Sequence, residues 1–187
     1  MSAAACQGGW PAQADTQDFK RAMRQLAGGV SVVTVQAGTR RSGFTATSVS
    51  SLCVDPPTLI ACVNKVSSSA ALLRETRHFG VSVLAEPQQL VAERFAGMGG
   101  TAGEQRYAGT DWLRLTPDGA PVMAHSLIAL DCCAEDMIER HSHWLLIGRV
   151  RAVRQSDASA PPLLYWNGAY RRLSASEPLR TESQTRR

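Results

Sequence analysis

Two neighbouring stretches of the chain hold side chains whose types and spacing could do chemistry. RSGFTATSVSSL, Arg41 to Leu52, has six Ser or Thr among twelve residues and a single charge. Short hydroxyls on a strand let a second molecule approach the backbone closely while still offering hydrogen bonds. Such a surface suits a flat ligand with polar edges, held mainly by main-chain amides. Beyond the apolar run TLIACVN comes Asn64-Lys65-Val66-Ser67-Ser68-Ser69, which puts serines and a lysine where a helix should begin. Free amides and the helix dipole both favour an anion there, so this is a ready phosphate site. Each stretch also has a plainer reading: the hydroxyl strand as a solvent-facing edge, and Ser67 to Ser69 as a helix cap.

Other chemistries have less to stand on. His141 and His143 fall on one side of a strand, a spacing metals can use, but no third ligand accompanies them and no metal is expected. The five cysteines, Cys6, Cys53, Cys62, Cys132 and Cys133, form no C-x-x-C pair. They read as ordinary thiols of a reducing compartment. Neither glycine-rich phosphate fingerprint, G-x-G-x-x-G or G-x-x-x-x-G-K-[ST], is present. No Ser-His-acid triad or pair of catalytic carboxylates stands out.

The elements that must position these residues follow from periodicity and punctuation. Phe19, Met23 and Leu26 share one face of a helix that Asp15 or Thr16 can cap and Gly28-Gly29 stops. Val30–Gln36 reads as a strand, AGTRRSG as a hairpin turn, and the hydroxyl stretch as the returning strand, broken by VDPP. Thr58–Asn64 is a third, buried strand. Ser67–His78 is a serine-capped helix with Ala70, Leu72 and Leu73 on its apolar side. Phe79–Ala85 is a strand, and Pro87–Gly97 a short helix with proline in its first turn. Residues 98–111, rich in glycine, read as a mobile loop. Two long alternating strands follow in LIALDCCAEDMIER and HSHWLLIGRVRAVRQ, then a short extended element, Pro162–Leu173, around Asn167-Gly168. Residues 1–14 and 174–187 read as disordered tails, leaving one domain over 15–173.

Many short strands with a few helices indicate a mainly β protein: an antiparallel barrel with helices packed outside. At 187 residues, one domain with a substantial core is the default. No apolar run reaches membrane-span length, and the N-terminus lacks the basic start and apolar run of a secretory signal, so a cytoplasmic protein is expected. The net charge of +4 is scattered rather than clustered, which argues against a nucleic-acid binder but suits a small anionic ligand.

A planar ring plus a phosphate suggests a flavin. The chain resembles the short-chain flavin reductase family, the reductase halves of two-component flavin monooxygenases. The resemblance rests on FKRAMRQLAGGVSVVTV, GFTATSVSSLCVDPPTLIACVNKVSSSAALL, FGVSVLAEPQQLVAERFAG, HWLLIGRVRAV and PLLYWNGAYRRL, in that order, across residues 17–173. It implies an FMN-binding split β-barrel of Greek-key antiparallel type, forming a homodimer with flavin sites near the subunit interface.

The resemblance also implies roles. Thr45, Ala46, Thr47, Ser48, Ser50, Ser51 and Leu52 would line the isoalloxazine and ribityl chain. Asn64, Lys65, Ser67 and Ser69 would hold the phosphate end. Phe95, Ala96 and Gly97 would lie near the outer part of the flavin, and Tyr170 and Arg171 beside its pocket. His143 matches a histidine associated with nicotinamide binding. Relatives carry Gly-Asp before that histidine, and here those positions are His141-Ser142. Tyr165 and Trp166 read as packing residues.

The implied activity is an NAD(P)H:flavin oxidoreductase. It would pass hydride from NADH or NADPH to FMN or FAD and hand reduced flavin to a separate oxygenase. Two rivals keep the ligand. In one, bound flavin reduces another acceptor such as a corrinoid; in the other, the protein binds flavin without catalysis.

Overall fold

The computed structural model describes residues 14–156 and 160–173. The stretches read as tails therefore lie outside the described residues, apart from Ala14. In chain order the elements are α1 (Thr16–Met23), β1 (Gly28–Gly29), β2 (Ser31–Ala37), β3 (Arg40–Ala46), β4 (Ser50–Cys53), β5 (Thr58–Asn64), α2 (Ser68–Thr76) and β6 (His78–Val83). There follow α3 (Gln89–Phe95), β7 (Trp112–Leu113), β8 (Val122–Met123), β9 (Ile128–Arg140), β10 (His143–Gln155), β11 (Leu163–Trp166) and β12 (Ala169–Arg172).

Seven strands form one antiparallel sheet in the order β3-β2-β6-β9-β10-β5-β4. Its two outermost strands, β3 and β4, are consecutive in the chain, joined only by Thr47-Ser48-Val49. Laid flat, six inter-strand spacings of about 4.8 Å would separate them by roughly 29 Å. The link from Ala46 to Ser50 reaches at most about 14 Å. The sheet is therefore rolled. Register shifts in the β9–β10 ladder at Ile147/Gly148 and Val150/Ala152 add the local twist that rolling needs.

Successive side chains of β2 point to opposite faces, so its apolar run feeds two cores. Val33 and Val35 pack with Leu73, Phe79 and Leu146, where α2 lies. Val30 and Val32 pack with Ala92, Phe95, Tyr107 and Leu163, where α3 lies. Asp15 caps α1 by accepting the Gln17 and Asp18 amides at 2.9 Å. Ser67 caps α2 by accepting the Ala70 amide at 3.2 Å. The final hairpin turns on Asn167 and Gly168, both at positive φ, and β11 pairs with β1.

The structure departs from the sequence reading in several places: Leu26 lies beyond the end of α1, and Pro162–Leu173 is a hairpin rather than one extended element. The hydroxyl stretch is not one returning strand but two edge strands with a break at residues 47–49. Gly28-Gly29 does not end α1, whose C-cap is Arg24; it is a short strand lying against Tyr165 and Leu164. Residues 98–111 are pinned rather than loose. Tyr107 is buried and its hydroxyl donates to the Ser42 carbonyl at 2.6 Å. Arg106 donates to the Gly43 carbonyl at 2.6 Å, and the Arg94 guanidinium holds the Ala108 carbonyl and, at 2.7 Å, the Thr110 hydroxyl.

Candidate functional site

A cleft of about 510 Å³ opens between the end of β3, helix α3 and the last hairpin. Thr45 and Thr47 form one wall, Glu93, Ala96 and Met98 another, and Tyr165 with Tyr170 a third. Thr45 donates its hydroxyl to the Ala92 carbonyl at 2.5 Å, which fixes β3 against α3. The two tyrosine rings sit edge to face, with centroids 5.3 Å apart and planes at 71°. Partial burial, then the Glu93 carboxylate and Tyr165, push the Tyr170 phenol above its ordinary pKa.

A second cleft of about 850 Å³ runs on from the first, sharing Thr47, Tyr165 and Gly168. Ser48 and Ser50 line it, and so do Phe19, Met23 and Trp166. Both volumes fall in the roughly 300–1,000 Å³ range of small-molecule and cofactor sites.

The phosphate candidates gather at the far end of β5. Ser67 donates its hydroxyl to the Asn64 carbonyl at 2.8 Å, and Asn64 Oδ1 accepts the Val66 amide at 3.2 Å. The Lys65 amide donates to the Ser142 carbonyl at 3.0 Å, while its ammonium forms an ion pair with Glu139. His143 is the ladder partner of Asn64 and has Nδ1 2.8 Å from the Ser142 hydroxyl. Ser48 accepts the Cys62 amide at 3.2 Å, which carries the hydroxyl segment along β5 toward this cluster. The chain thus brings Thr45, Thr47, Ser48, Ser50, Ala96 and Tyr170 to the clefts, and gathers Asn64, Lys65, Ser67 and His143 with one another at the end of β5, where they line neither cleft.

Other expected residues stand elsewhere. Ala46 is a core residue whose side chain packs with Leu59 and Leu73. Ser69 is buried, its hydroxyl 2.9 Å from that of Ser42, so it is not presented to an anion. Phe95 is also buried, against Tyr107 and Trp112 at centroid distances of 5.1 and 5.4 Å. It shapes the cleft from behind without touching its space. Ser51, Leu52 and Arg171 are exposed and line neither cleft. Gly97, at φ 81°, ends α3 and releases Met98 toward the cleft.

Conversely, Glu93 and Met98, which the sequence singled out for nothing, line the cleft, and so does Tyr165, which the sequence reads as a packing residue. Tyr165 was legible in principle. Across an Asn-Gly turn at 167–168 it lies directly opposite Tyr170.

The cleft thus sets small hydroxyl residues on one side against a pair of aromatic rings on another. The chain belongs to the flavin reductase-like family: the Flavin reductase like domain matches residues 23–174. Among its relatives is an NADH:riboflavin 5'-phosphate oxidoreductase of Streptomyces pristinaespiralis, 37% identical over 151 residues, covering 80% of this chain and 84% of that one. Another is the flavin-dependent monooxygenase reductase subunit HsaB of Rhodococcus jostii, 32% identical over 156 residues, covering 83% and 77%. Among solved structures, the NADH:FAD oxidoreductase SgcE6 of Streptomyces globisporus, in complex with NAD and FAD fragments, superposes with a TM-score of 0.79 at 27% identity. The match covers 88% of this chain and 96% of that one.

Proposed function

We propose that this protein is an NADH-dependent flavin reductase that supplies reduced FMN or FAD to a separate oxygenase component. The observation that carries the reading is the pair of neighbouring clefts that share Thr47, Tyr165 and Gly168 in their walls. The relatives named above are reductases of the same ligands, one of them a monooxygenase reductase subunit. The residues fit a flavin: small side chains at Thr45 to Ser50 leave room for a ring system, and Tyr165 and Tyr170 offer it an aromatic wall.

When bound, the flavin supplies the chemistry, accepting hydride from a nicotinamide. The chain binds, orients and shields. Thr45, Thr47, Ser48 and Ser50 would hold the ring and ribityl chain. Tyr170 would turn its phenol to the ligand at the wall. Asn64, Lys65 and Ser67 would hold the phosphate. His143, beside Asn64, orients the nicotinamide rather than serving as an obligatory base.

The assembly belongs to the same proposal. A closed split barrel is supported by the short link between the two sheet edges. A homodimer is supported by apolar side chains left in solvent along one region, with Phe19 57% exposed on α1 and Leu26 70% exposed just beyond its end. No helix among the described residues is long and apolar enough to cross a membrane.

The test is direct mixing. Under anaerobic conditions NADH should bleach the absorbance of flavin held by the protein. Flavin that binds but stays oxidised after NADH addition would leave a carrier, and the reductase reading would be lost.

A further inference from the structure

Lys65 is placed where the flavin phosphate would arrive, yet its charge is already balanced by the ion pair with Glu139. Glu139 stands on β9, opposite Trp144 of β10, which in turn pairs with Val63 of β5. Its side chain therefore reaches over β10 to meet a lysine just past the end of β5. The lysine is itself tied to the β9–β10 turn through its amide and the Ser142 carbonyl, at 3.0 Å. An anion arriving at the start of α2 must either take Lys65 from Glu139 or settle beside a carboxylate.

Resting on the flavin reading above, we infer that Glu139 is a specificity-determining residue. It competes with the flavin phosphate for Lys65 and so weakens discrimination between phosphorylated and unphosphorylated flavins. The side chains of Lys65 and Glu139 are 30% and 54% exposed, so the pair is a partly solvated one. Such pairs are worth up to ~1 kcal/mol, about a fivefold factor, which a phosphate can overcome but not without loss. Glu139 acts through Lys65; it is a positioning residue for that ammonium.

The experiment titrates FMN and riboflavin into wild type, Glu139→Gln, Lys65→Ala and the double variant, at low and high salt. Glu139→Gln should raise the preference for FMN over riboflavin about two- to fivefold, with riboflavin affinity unchanged. The gain should shrink at high salt and vanish in the Lys65→Ala background. Equal changes for both ligands would make the pair a mere anchor of the hairpin tip and overturn the inference, as would no change at all. The same gain without Lys65 would mean direct repulsion of phosphate by Glu139, and would overturn it too. A wild type that binds neither flavin would sink the flavin reading itself, an outcome legible from riboflavin alone.

Discussion

Ser48 Oγ accepts the backbone amide of Cys62 at 3.2 Å, although Ser48 lies outside any strand. The register that pairs Ser50 with Ile60 brings Ser48 opposite Cys62, so the side chain continues the β4–β5 ladder where β4 itself stops. This bond secures the link that joins the two edges of the rolled sheet. Ser48→Ala should cost about 0.5–1.5 kcal/mol of stability, the usual net value of one neutral hydrogen bond. Urea unfolding checks it: the midpoint should fall with the slope unchanged.

Gly43 explains how tightly the core supports the cleft. A Cβ at this position would lie 2.6 Å from Phe95 Cε1 and 2.8 Å from the Val33 carbonyl oxygen. The backbone oxygen cannot yield cheaply, so Gly43→Ala should destabilise the fold by about 1–3 kcal/mol. Phe95 is on α3, which carries Glu93 into the cleft, so flavin affinity should fall in the same variant. Calorimetry and a flavin titration on one sample test both.

Tyr107 gives an alkaline limit. Burial pushes its phenol well above the ordinary tyrosine value, against a lesser opposing effect of the Arg41 guanidinium. A folded pKa raised above the unfolded one means stability fully present below about pH 10 and lost as pH rises past it. Tyr107→Phe should cost about 1–3 kcal/mol near neutrality, because the Ser42 carbonyl loses its buried donor. The gap between wild type and variant should narrow above about pH 10, as measured by denaturant midpoints across pH.

Tyr165 separates ring recognition from phosphate recognition. If its ring contacts the flavin, Tyr165→Ala should weaken FMN and riboflavin alike, on the order of 0.5–1.5 kcal/mol. The loss should hardly respond to salt. A loss confined to FMN would assign Tyr165 to the phosphate end.

Much of this architecture could be read from the chain. The long strands β9 and β10 announced themselves by alternation and α2 by its serine cap and the buried Ala70, Leu72 and Leu73, whereas Pro162–Leu173, read as one short extended element, is a hairpin turning at Asn167-Gly168. The break after Ala46 was illegible, because Thr47-Ser48-Val49 contains neither glycine nor proline and only strand pairing separates β3 from β4. The glycine-rich run after Phe95 suggested looseness, but its order comes from long-range contacts of Arg94, Arg106 and Tyr107 that no local pattern reports.

At the site, residue type was a better guide than residue orientation. Thr45, Thr47, Ser48 and Ser50, singled out for their hydroxyls, line the clefts, whereas Ala46, Ser69 and Phe95 are buried in the packing. A one-residue alternation along β3 decides which side chain faces the cleft and which the core.

The central claim is that this groove brings a flavin and a reduced nicotinamide together. Steady-state consumption of NADH by the purified protein, with and without added FMN, FAD or riboflavin, measures that most directly. Turnover that depends on flavin and saturates with it is the predicted result. Flavin binding with no NADH consumed at any flavin concentration would contradict it.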